Sequence, residues 1–94
     1  MEIDVKHLPE RHMFYANVEG KESMMQYRIL DEKTWDYAHT FVPGALRGKG
    51  IASTIIKFAL DYAREHGLKV RPSCPKVQSY LETHHEYDDI LVEL

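Results

Sequence analysis

The stretch that most constrains the fold is residues 39–52, because it joins an alternating strand pattern to a helical pattern through a glycine-rich turn. The strand pattern ends at Pro43 and Gly44, and residues 47–50 follow as arginine, glycine, lysine and glycine. A strand, such a turn and a helix in this order bring free backbone N–H groups and the positive end of a helix dipole to one place. The stretch therefore predicts an anion-binding turn, although two glycines also suit a plain strand-to-helix connection.

The residues before this turn predict four β-strands joined by short polar connections. The four strands span residues 3–8, 12–18, 23–30 and 34–42. Short connections between consecutive strands favour an antiparallel meander. In the fourth strand, regular alternation predicts one shared face for four residues. They are Trp35, Tyr37, His39 and Phe41.

The residues after the turn predict a crossover helix and a parallel strand. Residues 50–66 are apolar over most of the helical circumference, which suits a helix packed on a sheet. One polar stripe interrupts this apolar surface. The stripe consists of Ser53, Lys57, Asp61 and Arg64. Residues 68–71 predict a short fifth strand, and the length of the strand–helix–strand unit favours its parallel pairing with the fourth.

The last third of the chain predicts a second helix. Pro75 suits the first helical position, and the pattern runs to about His84. Residues 90–92 indicate a short terminal strand. The expected fold is α+β, or mixed α/β: an antiparallel four-stranded meander, a crossover helix, a parallel fifth strand and a C-terminal helix. We expect one domain over residues 1–94, which is an ordinary length for a domain.

Composition narrows the class of partner. The net charge of −3 gives no reason to expect nucleic acid or an anionic membrane. No apolar run approaches the ~20 residues of a membrane-spanning helix, and the first residues lack a signal-peptide core. The single cysteine excludes an internal disulfide and a cysteine-rich zinc site, and it is compatible with a reducing, cytoplasmic setting.

The turn also carries a resemblance to a known family. Arg47, Gly50 and Ala52 stand in the pattern Arg-x-x-Gly-x-Ala, which resembles the acyl-CoA-binding motif of the GNAT acetyltransferase superfamily. The wider string of His-Thr-x-Val-Pro at residues 39–43, the turn itself and Pro-x-Cys-Pro at residues 72–75 resembles the small single-domain GNAT-like subfamily. The similarity extends over residues 13–92.

This resemblance implies a trimmed GNAT fold and an N-acetyltransferase that moves acetyl from acetyl-CoA to an amine. The implied partners are acyl-CoA and an amine of a small molecule, a protein lysine or a protein N-terminus, with no nucleic acid and no membrane. The CoA diphosphate is implied on the amides of residues 48–52, and the pantetheine arm along the end of the fourth strand. The implied cofactor-binding residues are Phe41, Val42, Arg47, Gly48, Lys49, Gly50, Ile51 and Ala52.

Cys74 and His39 are the catalytic candidates. With Pro75 as the first helical residue, Cys74 is the N-cap, where unpaired N–H groups favour a thiolate. Cys74 is then an acyl-accepting nucleophile or a thiol beside the thioester, or else a small buried hydrophobic residue. His39 is a general-base candidate because imidazole changes charge near neutral pH, or else it is a strand histidine hydrogen-bonded among aromatic neighbours.

The remaining residues predict no metal site and leave non-enzymatic functions open. His84 and His85 are adjacent, so they point apart on a helix, and no partner at ligand spacing accompanies them. They therefore predict a helix end and no metal site. Two alternatives to an enzyme stay open: a CoA- or acyl-CoA-binding module without turnover, and a protein-interaction domain that keeps the fold.

Overall fold

The computed structural model describes residues 3–93 and contains a five-stranded sheet with its strands in chain order. Four strands pair antiparallel, and the fifth pairs parallel to the fourth. The strands are β1 (Lys6–Leu8), β2 (Met13–Val18), β3 (Lys21–Asp31), β4 (Thr34–Phe41) and β5 (Lys69–Arg71). The predicted meander and parallel fifth strand are confirmed, although β1 begins three residues later than predicted.

The helix α1 (Ile51–Glu65) connects β4 to β5 and packs on one face of the sheet. Its buried side chains are Ile51, Ile55, Ile56, Ala59, Leu60 and Ala63. The hydroxyl of Tyr37 donates a 2.6 Å hydrogen bond to the carbonyl oxygen of Ala59, which ties β4 to the middle of the helix. The predicted crossover helix is confirmed, and three of the four predicted polar-stripe residues are exposed.

A β-bulge in β4 overturns the predicted face pattern of this strand. Tyr27 of β3 pairs with Tyr37, but Gln26 pairs with His39, so Ala38 is the additional residue. A bulge shifts the alternation by one position. Tyr37 therefore points to α1, whereas His39 and Phe41 lie exposed on the opposite face. The prediction of one shared face was wrong, because a bulge depends on register with β3 and leaves no mark in the alternation.

Aromatic rings fill the space between the first four strands of the sheet and the second half of α1. Tyr27 stacks on Trp35 with ring centroids 4.2 Å apart, and Trp35 also stacks on Tyr62 of α1. The Nε2 atom of His7 lies 2.7 Å from the hydroxyl oxygen of Tyr27. We call this group the aromatic cluster. It consists of His7, Phe14, Tyr27, Trp35, Tyr37 and Tyr62.

The helix α2 (Pro75–Leu81) begins at the predicted proline but ends three residues before the predicted end. Of the predicted terminal strand at residues 90–92, Ile90 ends a 3-10 helix, His85–Ile90, and Leu91 forms a single bridge with Val70 of β5. The 3-10 turns bury Tyr87, whose hydroxyl donates to Asp61 at 2.6 Å, and this tertiary contact outweighs local strand preference. Among residues 3–93, no helix has both the length and the apolar character needed to cross a membrane.

Candidate functional site

The connection from β4 to α1 is built around two glycines with left-handed backbone. A short 3-10 helix, Gly44–Leu46, follows Pro43 and buries the Leu46 side chain. Gly48 has φ +82° and Gly50 has φ +78°, values that residues with a side chain adopt only at a cost of about 1–2 kcal/mol. A Cβ atom at either glycine would meet no protein atom within 4 Å. These positions thus need glycine for backbone conformation and for access from solvent, not for packing.

The first turn of α1 leaves backbone N–H groups available. Gly50 is the N-cap, and within the described residues no side chain caps this end. The first backbone bond of the helix runs from the Thr54 N–H to the Gly50 carbonyl at 3.1 Å. The preceding N–H groups of α1 have no acceptor inside the helix, as at every helix start. Together with the helix dipole, they form a site that favours an anion.

A cavity of about 520 Å³ lies between this turn and α2. We call it the turn cavity. It has the size of a small-molecule site. Six of the eight predicted cofactor-binding residues line it: Val42, Arg47, Gly48, Gly50, Ile51 and Ala52. The opposite wall comes from α2 and the residues just after it: Lys76, Ser79, Tyr80, Thr83 and His84.

The lining of the turn cavity is cationic in an acidic chain. Arg47 and Lys76 contribute positive charge, and no Asp or Glu is among the lining residues of the described chain. The chain as a whole carries a net charge of −3. Arg47 is positioned by a 3.3 Å hydrogen bond from its Nε to the Val42 carbonyl oxygen. This separation of charge makes the cavity a suitable place for a negatively charged ligand.

Lys49 and Phe41 lie outside this lining. The Lys49 ammonium is 3.0 Å from a carboxylate oxygen of Glu19, in the turn between β2 and β3. Both side chains are substantially exposed, so this ion pair is weak and screened by salt. Phe41 is 42% exposed on the face of the sheet that points away from α1. Their assignment to the cofactor site stays a prediction.

Cys74 is the N-cap of α2, as predicted, but its sulfur does not cap the helix. Its backbone N–H donates to the Tyr37 carbonyl at 2.9 Å, and its thiol donates to the Thr40 hydroxyl at 3.3 Å. The residue is 2% exposed. Thr40 lies two residues before Val42 on β4, so the sulfur sits roughly 7 Å along the strand from the cavity wall.

His39 and Cys74 are on different sides of β4. His39 is exposed on the face that Phe41 shares, whereas Cys74 contacts Thr40 on the α1 face. The pairs between β4 and β5 end at Asp36 and Arg71. Beyond that point β4 leads into the turn and α1 while the chain after β5 leads into α2, so the two chain segments part there.

Sequence reasoning missed the wall formed by α2. Tyr80 has the spacing of a core residue relative to Val77 and Leu81, and His84 was predicted only as a helix end, yet both line the turn cavity with their rings stacked 3.8 Å apart. Burial raises the pKa of Tyr80, so its hydroxyl remains protonated at neutral pH. The four-residue spacing of Lys76, Tyr80 and His84 is a signal that would have placed them on one helix face.

Sequence reasoning also missed a buried carboxylate on β4. Asp36 is fully buried and accepts a 2.8 Å hydrogen bond from Arg28 of β3. Its other carboxylate oxygen has no hydrogen-bond partner among the described residues, and neither does the buried Nε of Arg71. Among residues 3–93, no group of three or more His, Cys, Asp or Glu side chains is arranged to hold a metal ion.

Comparison with known proteins identifies a family and several relatives that this chain resembles. The profile of the family described as GCN5-related N-acetyl-transferase matches residues 13–90. Protein NATD1 of Xenopus tropicalis is 35% identical over 82 residues, which cover 85% of this chain and 75% of that protein. Protein NATD1 of Homo sapiens is 34% identical over 82 residues, which cover 85% of this chain and 73% of the human protein.

A solved structure agrees with the sequence comparisons. A GCN5-like protein from Staphylococcus aureus, determined in solution by NMR, superposes with a TM-score of 0.74 at 27% identity. The superposition covers 97% of this chain and 89% of that one. The small GNAT-like fold implied by residues 39–52 and 72–75 is therefore confirmed, and the chain belongs to the family of GCN5-related N-acetyltransferases.

Proposed function

We propose that this protein is an N-acetyltransferase that transfers acetyl from acetyl-CoA to an amine. The observation that carries the proposal is the turn cavity, where left-handed glycines, uncapped α1 amides and Arg47 meet beside β4. Family membership favours this chemistry over other uses of an anion site. We expect the reaction to take place in the cytoplasm, where a single free thiol stays reduced.

In this proposal the CoA diphosphate binds the amides of residues 48–52. Each exposed anion–helix contact contributes about 0.3–1 kcal/mol, and partly buried contacts contribute about 2 kcal/mol. Arg47 adds a charge-assisted contact from the side of the turn. The pantetheine arm then runs past Val42 along β4, with its thioester toward Thr40 and Cys74.

The chemical step needs an amine nucleophile and a polarised thioester carbonyl. The neutral amine attacks the carbonyl carbon, and the C–S bond breaks from the resulting tetrahedral intermediate. The acetyl group stays on nitrogen, CoA leaves as a thiolate that takes up a proton, and a base removes the proton from the amine. A backbone N–H of β4 beyond the bulge stabilises the oxyanion.

His39 is our proposed base, because it is exposed on the face from which an amine reaches the gap between β4 and the chain after β5. Cys74 is proposed on the opposite side, as a thiol beside the thioester or as a transient acyl acceptor. If Cys74 accepts the acyl group, its thiol first loses its proton and attacks the thioester carbonyl carbon. The C–S bond to CoA then breaks, and CoA leaves as a thiolate that takes up a proton. The amine then displaces the cysteine sulfur.

Titration with CoA tests the binding half of the proposal. We expect a calorimetric binding signal and a rise in melting temperature, because a ligand that binds only the folded state stabilises it. The absence of both would contradict the acetyltransferase and any CoA-binding module, and would leave a protein-interaction domain that keeps the fold.

Release of free thiol from acetyl-CoA tests the catalytic half. A panel of amines, peptides and proteins should include acceptors that accelerate release, and His39→Gln should slow that release. Mass spectrometry of the protein after brief exposure to acetyl-CoA separates the two roles of Cys74. An acetyl adduct that Cys74→Ala abolishes indicates covalent transfer, whereas full turnover by Cys74→Ala excludes it.

A CoA-binding module without turnover is the second candidate. It is favoured by one observation: neither His39 nor Cys74 lines the turn cavity. Tight CoA binding with no amine-dependent thiol release across the panel would support this module and contradict the enzyme.

A further inference from the structure

The α2 wall of the turn cavity carries polar and aromatic side chains that the proposed diphosphate site does not involve. The wall consists of Lys76, Ser79, Tyr80, Thr83 and His84. Val77 and Leu81 point the other way and are buried in the core, so the helix divides cleanly into an inner apolar side and a cavity side. The cavity side combines one cation, two hydroxyls and a pair of flat rings.

The two walls of the cavity carry separate positive charges. Arg47 belongs to the turn wall and is fixed by its bond to the Val42 carbonyl. Lys76 belongs to the α2 wall and is exposed, and it is absent from the ion pairs of the described residues. The N–H groups of α1 and Arg47 suffice for one diphosphate. A second cation across the cavity fits a second, separate phosphate.

The stacked rings beside Lys76 suit a nucleobase. Tyr80 and His84 lie parallel within 2°, with centroids 3.8 Å apart. His84 is held by its Nδ1, which lies 2.8 Å from the Tyr80 carbonyl oxygen and 3.0 Å from the Thr83 hydroxyl. Flat, fixed rings bind bases by stacking with little selectivity among bases. Thus a phosphate site and a base platform share one helix face.

We infer that the α2 wall binds the nucleotide end of CoA, with Lys76 on the 3′-phosphate of the ribose and the Tyr80–His84 pair beside the adenine. This inference rests on the proposed function, because it assumes that the diphosphate occupies the turn. It makes Lys76 a specificity-determining residue. The donor is then a free CoA thioester and not phosphopantetheine on a carrier protein, which has neither adenine nor a 3′-phosphate.

The test compares CoA with 3′-dephospho-CoA by calorimetry on the full chain. For the wild type we expect about tenfold tighter binding of CoA, the size of one charge-assisted contact. Lys76→Ala should bring the ratio of the two dissociation constants close to one, mainly by weakening CoA. Lys33→Ala is the matched control, since Lys33 is an exposed lysine outside the cavity lining, and it should keep the wild-type ratio.

The outcomes separate this inference from the proposed function. If wild type binds both ligands equally, or if Lys76→Ala keeps the tenfold ratio, the assignment of Lys76 is overturned while CoA binding stands. If neither ligand binds the wild type, the proposed function is overturned together with this inference. Lys76 is exposed, so the variant should keep the wild-type melting temperature, which shows that a changed ratio is not caused by misfolding.

Discussion

The two halves of β4, before and after the bulge at Ala38, are built for different tasks. Before the bulge, β4 pairs on both sides and sends Trp35 and Tyr37 into the aromatic cluster. After it, β4 has parted from β5, leaves Phe41 exposed and leads into the glycine turn. The residues that stabilise the fold and those of the proposed ligand site are thus separated along a single strand. Substitutions on the two sides should therefore have separable effects.

Phe14→Ala should give the largest effect, and this effect should be on the free energy of unfolding and not on CoA affinity. Phe14 is fully buried and packs against rings from β3, β4 and α1. Truncation of a buried phenylalanine lowers the free energy of unfolding by about 3–5 kcal/mol, because it removes apolar contacts and leaves a cavity. Urea unfolding followed by Trp35 fluorescence measures this loss.

The comparison also predicts what Phe14→Ala leaves unchanged. At a temperature where the variant is folded, its dissociation constant for CoA should equal that of the wild type. Phe14→Leu is the milder control, which should lose less stability. A large change in CoA affinity at full folding would show that the aromatic cluster and the turn cavity are coupled.

Gly50→Ala tests the ligand side of this comparison, in the turn that follows the second half of β4. The left-handed backbone at Gly50 makes an alanine cost about 1–2 kcal/mol of stability. The added methyl group projects into open space at the cavity, where the proposed diphosphate site lies beside the α1 amides. We therefore expect CoA affinity to fall by about tenfold or more, a larger loss than one lost contact explains. Calorimetry and urea unfolding measure the two effects.

Gly67→Ala is the matched control for Gly50→Ala. Gly67 follows α1 at its other end and has φ +67°, and a Cβ atom added there would also meet no protein atom within 4 Å. It should therefore lose similar stability while CoA affinity stays at the wild-type value. Equal affinity losses in the two variants would mean that backbone strain, and not the diphosphate site, explains the effect.

The difference between the halves also explains what the sequence could predict. Local signals placed the strands, α1 and the turn, because alternation, helical periodicity and glycine at 48 and 50 are properties of neighbouring residues. The bulge at Ala38 and the ion pair of Lys49 with Glu19 depend on residues far away in the chain, from β3 and from the turn between β2 and β3. No periodicity within β4 or the turn encodes them.

Only one wall of the turn cavity could be predicted from the sequence. The turn wall was found because a sequence motif covers it. The α2 wall was not, since Tyr80 has the spacing of a core residue relative to Val77 and Leu81 as well as that of a cavity residue relative to Lys76 and His84. Tertiary packing decides between these two interpretations of one short helix.

His7 should make the aromatic cluster sensitive to acid. Burial lowers the pKa of His7, the positive charge of His66 lowers it further, and Glu10 opposes the shift. Between the folded pKa and the unfolded value near 6.5, the unfolded chain binds more protons. The contribution of neutral His7 is therefore complete above pH ~6.5 and is lost as pH falls through the folded pKa.

Unfolding by urea at pH 7.5 and pH 5.0 measures this sensitivity. The wild type should lose more stability between these conditions than His7→Phe, which keeps a ring in the cluster but cannot take up a proton. Carboxylates that titrate in the same range contribute equally to both proteins, so they cancel in the difference. Parallel pH dependence in the two proteins would contradict a role for His7.

Glu19→Gln should give the smallest effect, and it sharpens the ligand side of the comparison. Glu19 holds the Lys49 ammonium at 3.0 Å, outside the turn cavity, although Lys49 stands between the two glycines that line the cavity. An exposed ion pair of this kind is worth about 0–1 kcal/mol. Its removal should free Lys49 to reach the diphosphate and raise CoA affinity by up to about fivefold.

In a double-mutant cycle, Glu19→Gln should have no effect on CoA affinity when Lys49 is already alanine. If Glu19→Gln leaves CoA affinity unchanged while Lys49 is present, Lys49 belongs to the scaffold of the turn and not to its ligand.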